Sequence, residues 1–292
     1  MKKFILRTLS FLSPLALAFI VAFCVFFNNS QKSIDKWKLS DDIYFLFLGD
    51  SHVQQGINVD STYHAKNVAK DSESYYFNYY KLKKLLKDSN NTKQIYLGFS
   101  YHNLSDYNDD YVLGCYSSDI ATRYFTFLPF SEKINILQSN FSQLPFFFKQ
   151  FVKNNQAKNY EGGYSSFYKN TSAIKSSMDK RINQQFYKDG KERNLSITNI
   201  IYLKKIINLC KEKKVKLFFL KTPLHPYYEK KTPVFFVKQY SKIITENDLE
   251  LIDFKMIKFT DKSFIPDGDH LSFEGAEQVS NYLKKSLKNK VQ

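Results

Sequence analysis

Two short motifs near opposite ends of the chain hold residue types that together can do nucleophilic chemistry. Gly49-Asp50-Ser51-His52 sets a serine hydroxyl just after an apolar run, and Asp267-Gly268-Asp269-His270 sets a carboxylate three residues before an imidazole. A serine hydroxyl is a weak nucleophile until a base takes its proton and a third group orients that base. One nitrogen of His270 can bond Asp267 while the other stays free for Ser51. That set suits acyl transfer from an ester through an acyl-serine. The alternative use of these residues is helix capping, by Asp50 and Ser51 at one helix and by Asp269 or Ser272 at the last one. The two uses are compatible.

Two further histidines stand beside these motifs. His52 follows the serine and either faces a substrate or is an ordinary polar loop residue. His225, in Thr222-Pro223-Leu224-His225-Pro226, sits on a proline-flanked loop after a strand, where it can reach over a pocket. No pair of histidines has metal-ligand spacing, so neither a metal nor a cofactor is expected.

These residues need a scaffold that brings positions 51 and 270 together. Residues 43–48 (Ile-Tyr-Phe-Leu-Phe-Leu) form a short apolar run of strand formers ending at Gly49, which reads as a buried parallel strand. Residues 76–87 read as a helix, 94–97 as a second strand ending at Gly98, and 196–213 as a helix capped by Ser196. A strand over 215–220, a helix opened by Pro233, a strand over 249–253 and a last helix over 273–287 follow. Alternating strands and helices predict an α/β fold, a three-layer sandwich around a central parallel sheet. In such sheets active sites gather at the carboxyl ends of the strands, and Ser51 lies there. Residues 106–193 break the pattern. They are aromatic and rich in Ser and Asn, with a short helix near 132–141 and a turn at Glu161-Gly162-Gly163, and they read as a mostly helical or irregular insertion, a lid rather than core.

The N-terminus reads differently. Residues 8–27 carry no charge, and a run of about 20 residues can span a bilayer as a helix. Lys2, Lys3 and Arg7 precede it, which places the N-terminus in the cytoplasm and the body outside. No small-x-small site follows the run, which favours an uncleaved signal anchor over a cleaved signal peptide. The expected organisation is an anchor over 1–30, a linker over 31–42 and the α/β domain over 43–292. Export argues against intracellular nucleotide-dependent chemistry.

Composition sets outer bounds. A net charge of +15 could favour anionic glycans, lipid headgroups or nucleic acid. The lysines are scattered over the polar faces of expected helices and form no nucleic-acid module, so no nucleic-acid partner is expected. Of three cysteines, Cys24 lies in the apolar run; Cys115 and Cys210 are left to pair or to stay as thiols. The 21 tyrosines and 28 phenylalanines reflect a biased composition; those of residues 106–193 suit either stacking on sugar rings or packing as that segment's own small core.

Gly-Asp-Ser after the first strand and Asp-x-x-His before the last helix, in that order, resemble the first and last blocks of the SGNH (GDSL-like) hydrolase superfamily. The resemblance covers most of residues 43–287, apart from 106–193. It implies Ser51 as nucleophile, His270 as base and Asp267 as its orienter, with Asp269 as second choice. It also implies oxyanion donors from three blocks. Ser72 stands where the second block has glycine. Ser100 stands at the asparagine position of the third, with His102 and Asn103 close by, and either Ser100 or Asn103 is the candidate donor. Signal-anchored chains of this kind resemble bacterial proteins that add or remove O-acyl groups on envelope polysaccharides. The expected setting is the bacterial cytoplasmic membrane, with one pass and a periplasmic body. The expected substrate is an acylated envelope polysaccharide or another ester, with a membrane-embedded acyltransferase as a candidate partner. A lipid esterase at the membrane surface and a non-catalytic glycan-binding or partner-binding protein are the competing readings.

Overall fold

The computed structural model describes residues 1–35, 39–87, 91–114, 116–125, 128–153, 162–166 and 169–291. Its centre is a sheet of five parallel strands: β1 (Phe45–Leu48), β2 (Ala65–Asn67), β3 (Gln94–Gly98), β4 (Lys216–Leu220) and β5 (Glu250–Ile252). The order across the sheet is β2-β1-β3-β4-β5. The chain runs from β1 outward to β2, then crosses back to the other side of β1. Connections therefore diverge between the carboxyl ends of β1 and β3, which opens a crevice there.

Side chains alternate between the two faces of a strand, and here both faces are apolar. Leu46, Leu48, Ile95, Leu97, Leu217 and Phe219 join one buried cluster. Phe45, Phe47, Tyr96, Phe218 and Leu220 join the other. The first is covered by helices Tyr75–Leu85, Ile197–Glu212 and Val234–Asn247, and the second by Ser51–Gly56 and Phe273–Val291. The result is the expected three-layer α/β sandwich. Local chemistry sets several of the ends. Ser196 caps the Ile197–Glu212 helix by accepting from Asn199 N at 2.9 Å. Asp248, at φ +49°, closes the Val234–Asn247 helix in the left-handed region.

The structure corrects the reading of residues 106–193 as a lid. Val112, Ile120, Tyr124, Phe125, Ile136, Phe147, Met178, Ile182 and Phe186 belong to the same buried cluster as β1, β3 and β4. Glu132, on helix Phe130–Ser139, accepts hydrogen bonds from the hydroxyls of Tyr76, Tyr80 and Tyr202 at 2.9–3.0 Å. The segment is part of that core: the Tyr124 ring stacks on Phe77 of helix Tyr75–Leu85, and the Phe186 ring packs at a tilt against Phe236 of helix Val234–Asn247. The turn at Glu161 lies outside the described residues, as does Cys115; Cys210 is a buried free thiol.

The N-terminal helix, Lys2–Asp35, is long and apolar enough over Lys2–Val25 to cross a membrane or serve as a signal sequence. It continues to Asp35, beyond the start of the expected linker, and Pro14 lies inside it. Helix Leu144–Lys153 touches it.

Candidate active site

β1 delivers Ser51 to the crevice. Gly49 has φ +152°, open chiefly to glycine. Across from it, a Cβ on Gly98 would stand 2.5 Å from Val53 Cγ2. The two glycines let the first turn of helix Ser51–Gly56 settle onto the strand ends. Asp50 caps that turn, its Oδ1 accepting from His52 N at 3.0 Å. Ser51 is the first helical residue, so its own N–H has no partner within the helix.

The loop before the last helix meets Ser51 from the other side. Ser51 Oγ lies 2.8 Å from His270 Nε2, and His270 Nδ1 lies 2.8 Å from Asp267 Oδ2. Asp267 Oδ1 accepts from the N–H groups of Asp269 and His270 at 3.0 and 3.1 Å, which locks the loop's shape. Gly268, at φ +62°, makes the turn; a Cβ there would collide with Met178. Burial works against the Asp267 charge, but His270 holds this carboxyl below its ordinary value. Asp269 is 3.9 Å from His270 Nδ1, so Asp267 is the carboxylate bonded to this imidazole.

Asp269 faces elsewhere. Its Oδ2 accepts from Arg181 Nε and Gln185 Nε2, both at 2.8 Å, and its Oδ1 is 3.1 Å from His52 Nε2. Tyr228 OH donates to Gln185 Oε1. Although burial opposes its ionisation, His52 and Arg181 keep Asp269 well below the carboxylate range. His52 Nδ1 reaches Thr222 Oγ1 at 3.1 Å. The His52 ring lies between His102 and His270, with centroids 4.3 and 4.6 Å away. His102 Nε2 and Asn103 Nδ2 both bond Asp50 Oδ2 at 2.8 Å. Burial and then the neighbouring His52 lower His102. Asp50 stays ionised because His102 and Asn103 outweigh the cost of burial. Three carboxylate–histidine pairs thus lie side by side: Asp50–His102, Asp269–His52 and Asp267–His270.

The remaining candidates separate clearly. Asn103 accepts from Ser100 N at 2.8 Å and donates to Asp50, so its amide is committed inward. Ser100 Oγ, buried, faces the Asn103 N–H across the turn without an aligned hydrogen bond among the described residues. Ser72 adopts φ +62°, a backbone region natural to glycine, in a loop that Asp71 N ties to Gln54 Oε1 of the serine's helix. Beneath it the Lys81 ammonium and the Tyr124 hydroxyl bond Glu73, whose carboxyl burial pushes up to about 7. His225 caps helix Pro226–Lys231 by accepting from Tyr227 N, and its Nε2 meets Asp261 at 3.1 Å. It braces the Gly268 turn through its own N–H, which Gly268 O accepts at 2.9 Å.

Ligand atoms of His52, Asp269 and His270 fall within 4.8 Å of one another. Asp269 already carries Arg181 and Gln185, and His270 already bridges Asp267 and Ser51. A cation there would displace a guanidinium and break the Ser51 contact, so the donor set does not suit a metal.

Arg181, Gln185 and Thr222 were not foreseen from the sequence. Met178, Ile182 and Phe186, spaced by four on helix Lys175–Phe186, were the available signal that a core-facing helix runs there.

A protein-family model without a functional description matches residues 156–292. A search of curated proteins gives no match. Among solved structures, the chain is similar to one from Streptococcus pneumonia provisionally described as a platelet activating factor. They share 12% identity over 94% of this chain and 98% of that one, with a TM-score of 0.42. It is also similar to a Bacteroides fragilis protein provisionally described as an acylhydrolase, at 9% identity over 85% and 88% of the two chains and a TM-score of 0.36. Both TM-scores lie below 0.5.

Proposed function

We propose that this chain is a membrane-anchored serine hydrolase or O-acyl transferase of the SGNH type, acting on an ester of an envelope carbohydrate. The observation that carries the reading is the line Ser51 Oγ, His270 Nε2, His270 Nδ1, Asp267 Oδ2, with both contacts at 2.8 Å. In the reaction His270 takes the Ser51 proton as Oγ bonds the ester carbonyl carbon, and Asp267 holds the imidazole and the charge it gains. The carbonyl oxygen becomes an oxyanion that the N–H groups of Ser51 and Ser72 receive. Ser100 Oγ serves as third donor, because the Asn103 amide is committed to Asp50. Collapse breaks the bond to the alcohol, which leaves with the proton from His270. Water or a sugar hydroxyl then gives a proton to His270 and takes the acyl group, restoring Ser51.

One set of residues favours the lipid-ester alternative. Phe130, Phe141 and Phe146 are 78%, 75% and 56% exposed, on a segment that touches the apolar N-terminal helix. Such a surface suits contact with a bilayer. A non-catalytic binder, or a partner of a membrane-embedded acyltransferase, would need the fold but not Ser51.

The test uses the full chain in detergent micelles, with p-nitrophenyl acetate as substrate and a fluorophosphonate as covalent probe. Turnover and a Ser51 adduct are expected in the native chain. Ser51→Ala should lose the adduct and turnover by about 10⁴- to 10⁶-fold. A folded native chain with neither signal would overturn the enzyme reading in favour of the binder. Release of a long-chain acyl group from vesicles, without release from acetylated oligosaccharides, would move the substrate to lipid.

A further inference from the structure

We propose that His52 is a positioning residue for the base. It is a second imidazole beside a buried carboxylate; its ring lies tilted against that of His270, fixes the ring's place and opposes its taking up charge. The proposal rests on the serine-nucleophile reading and deepens it.

The geometry leaves His52 little freedom. Its residue is 4% exposed and that of Asp269 is 1% exposed. Thr222 Oγ1 holds Nδ1 at 3.1 Å, and Asp269 Oδ1 stands 3.1 Å from Nε2. Asp269 is in turn fixed by Arg181 and Gln185, from a helix far from both motifs in sequence. The His270 ring therefore meets a rigid plate 4.6 Å away, tilted by 55°. His270 can swing neither toward His52 nor, with Asp267 on its Nδ1, away from Ser51. Held rotamers of this kind are what a reacting pair needs, since a misplacement of about 1 Å can cost about 10²-fold in rate.

The charges point the same way. His52 is faced by Asp50 from the serine turn, His102 from the turn after β3, Asp269 and His270 from the last loop, and Arg181 from helix Lys175–Phe186, with Asp267 bonded to the far nitrogen of His270. Burial opposes a charge on His52, but Asp269 and then Asp50 raise its hold on a proton. With His52 protonated, three carboxylates face two cations, Arg181 and His52. A protonated neighbour also discourages His270 from picking up a proton from solvent before the reaction, since like charges disfavour ionisation. Asp267 acts in the opposite sense. His52 thus widens the pH range over which the base is free to act.

The experiment compares the full native chain with His52→Gln and His52→Phe in detergent micelles. Gln keeps polar atoms for Thr222 and Asp269 but carries no charge. Phe keeps a ring against His270. Near-UV circular dichroism identifies the folded variants, and either one suffices. The acid limb of the kcat/KM profile for p-nitrophenyl acetate should move up by about one pH unit in both. The value on the plateau should fall about tenfold in the Gln variant and less in the Phe variant. Histidine-selective NMR, read on the His270 ring carbon, gives the same comparison without turnover. Profiles and titrations that superimpose on the native ones would overturn the proposal. A native chain without turnover or Ser51 adduct would overturn the serine reading instead, and the NMR titration would still decide whether His52 acts on His270.

Discussion

Asp267 and Asp269 are two residues apart and chemically identical, yet they serve different histidines. The turn at Gly268 points Asp267 at His270 Nδ1 and sends Asp269 under His52. Their substitutions should therefore separate. Asp267→Asn keeps the shape of the loop but favours the wrong imidazole tautomer, and kcat should fall about 10⁴-fold with the fold intact. Steady-state kinetics beside circular dichroism checks this; a loss below tenfold would mean that Asp267 does not orient the base. Ser100 and Asn103 also separate. Ser100→Ala removes the third proposed oxyanion donor and should lower kcat about 10²- to 10³-fold with little change in KM. A fall confined to KM would place Ser100 in substrate binding instead.

Strand ends and turns hold the site more than any long helix does. Gly98 ends β3 beside Gly49, and Val53 from the serine's helix fills the space a side chain would take. Val53 is fully buried and β-branched, so it has no room to turn away. Gly98→Ala should cost about 1–3 kcal/mol by overpacking, and it should push Ser51 out of line with His270. Denaturant titration and fluorophosphonate labelling rate together test this. A variant with native stability and native labelling would show that the contact does not position Ser51. The sequence made β1, β3 and β4 legible because they are continuous apolar runs bounded by glycine or polar residues. β2, Ala65-Lys66-Asn67, was not legible. Three residues without a β-branched or aromatic side chain show no period, and this strand exists because β1 offers it hydrogen bonds.

At the scale of the whole molecule, the buried acids link folding to pH. Asp50, Asp267 and Asp269 are all held below their unfolded values, around 4 for an aspartate, by facing histidines and, at Asp269, by Arg181. A depressed carboxylate contributes stability that is present above its unfolded value and lost as pH falls through its folded one. The urea midpoint should therefore drop between pH 6 and pH 3. Asp269→Asn, though less stable at neutral pH, should show a shallower drop. Equal slopes for the two proteins would mean that Asp269 is not ionised in the folded state.

The sequence alone determined the architecture and named the candidate residues that the fold brings together. Gly-Asp-Ser and Asp-x-x-His are local patterns, and strand–helix alternation follows from apolar period and run length, so both can be read without contacts. It also marked the apolar N-terminal helix, for the same reason. Only the tertiary structure decided what lies around the Ser51–His270 pair. It chose Asp267 over Asp269, turned Asn103 inward, and set His225 to brace a turn. It also brought Arg181 and Gln185 across from a segment whose pattern suggested a lid. These outcomes depend on which groups meet in a buried, water-poor space, where each carboxylate must find a cation or a donor. Apart from Asp267, which the Asp-x-x-His spacing already favoured, such partners are chosen by packing across the fold, and their spacing along the chain carries no trace of it.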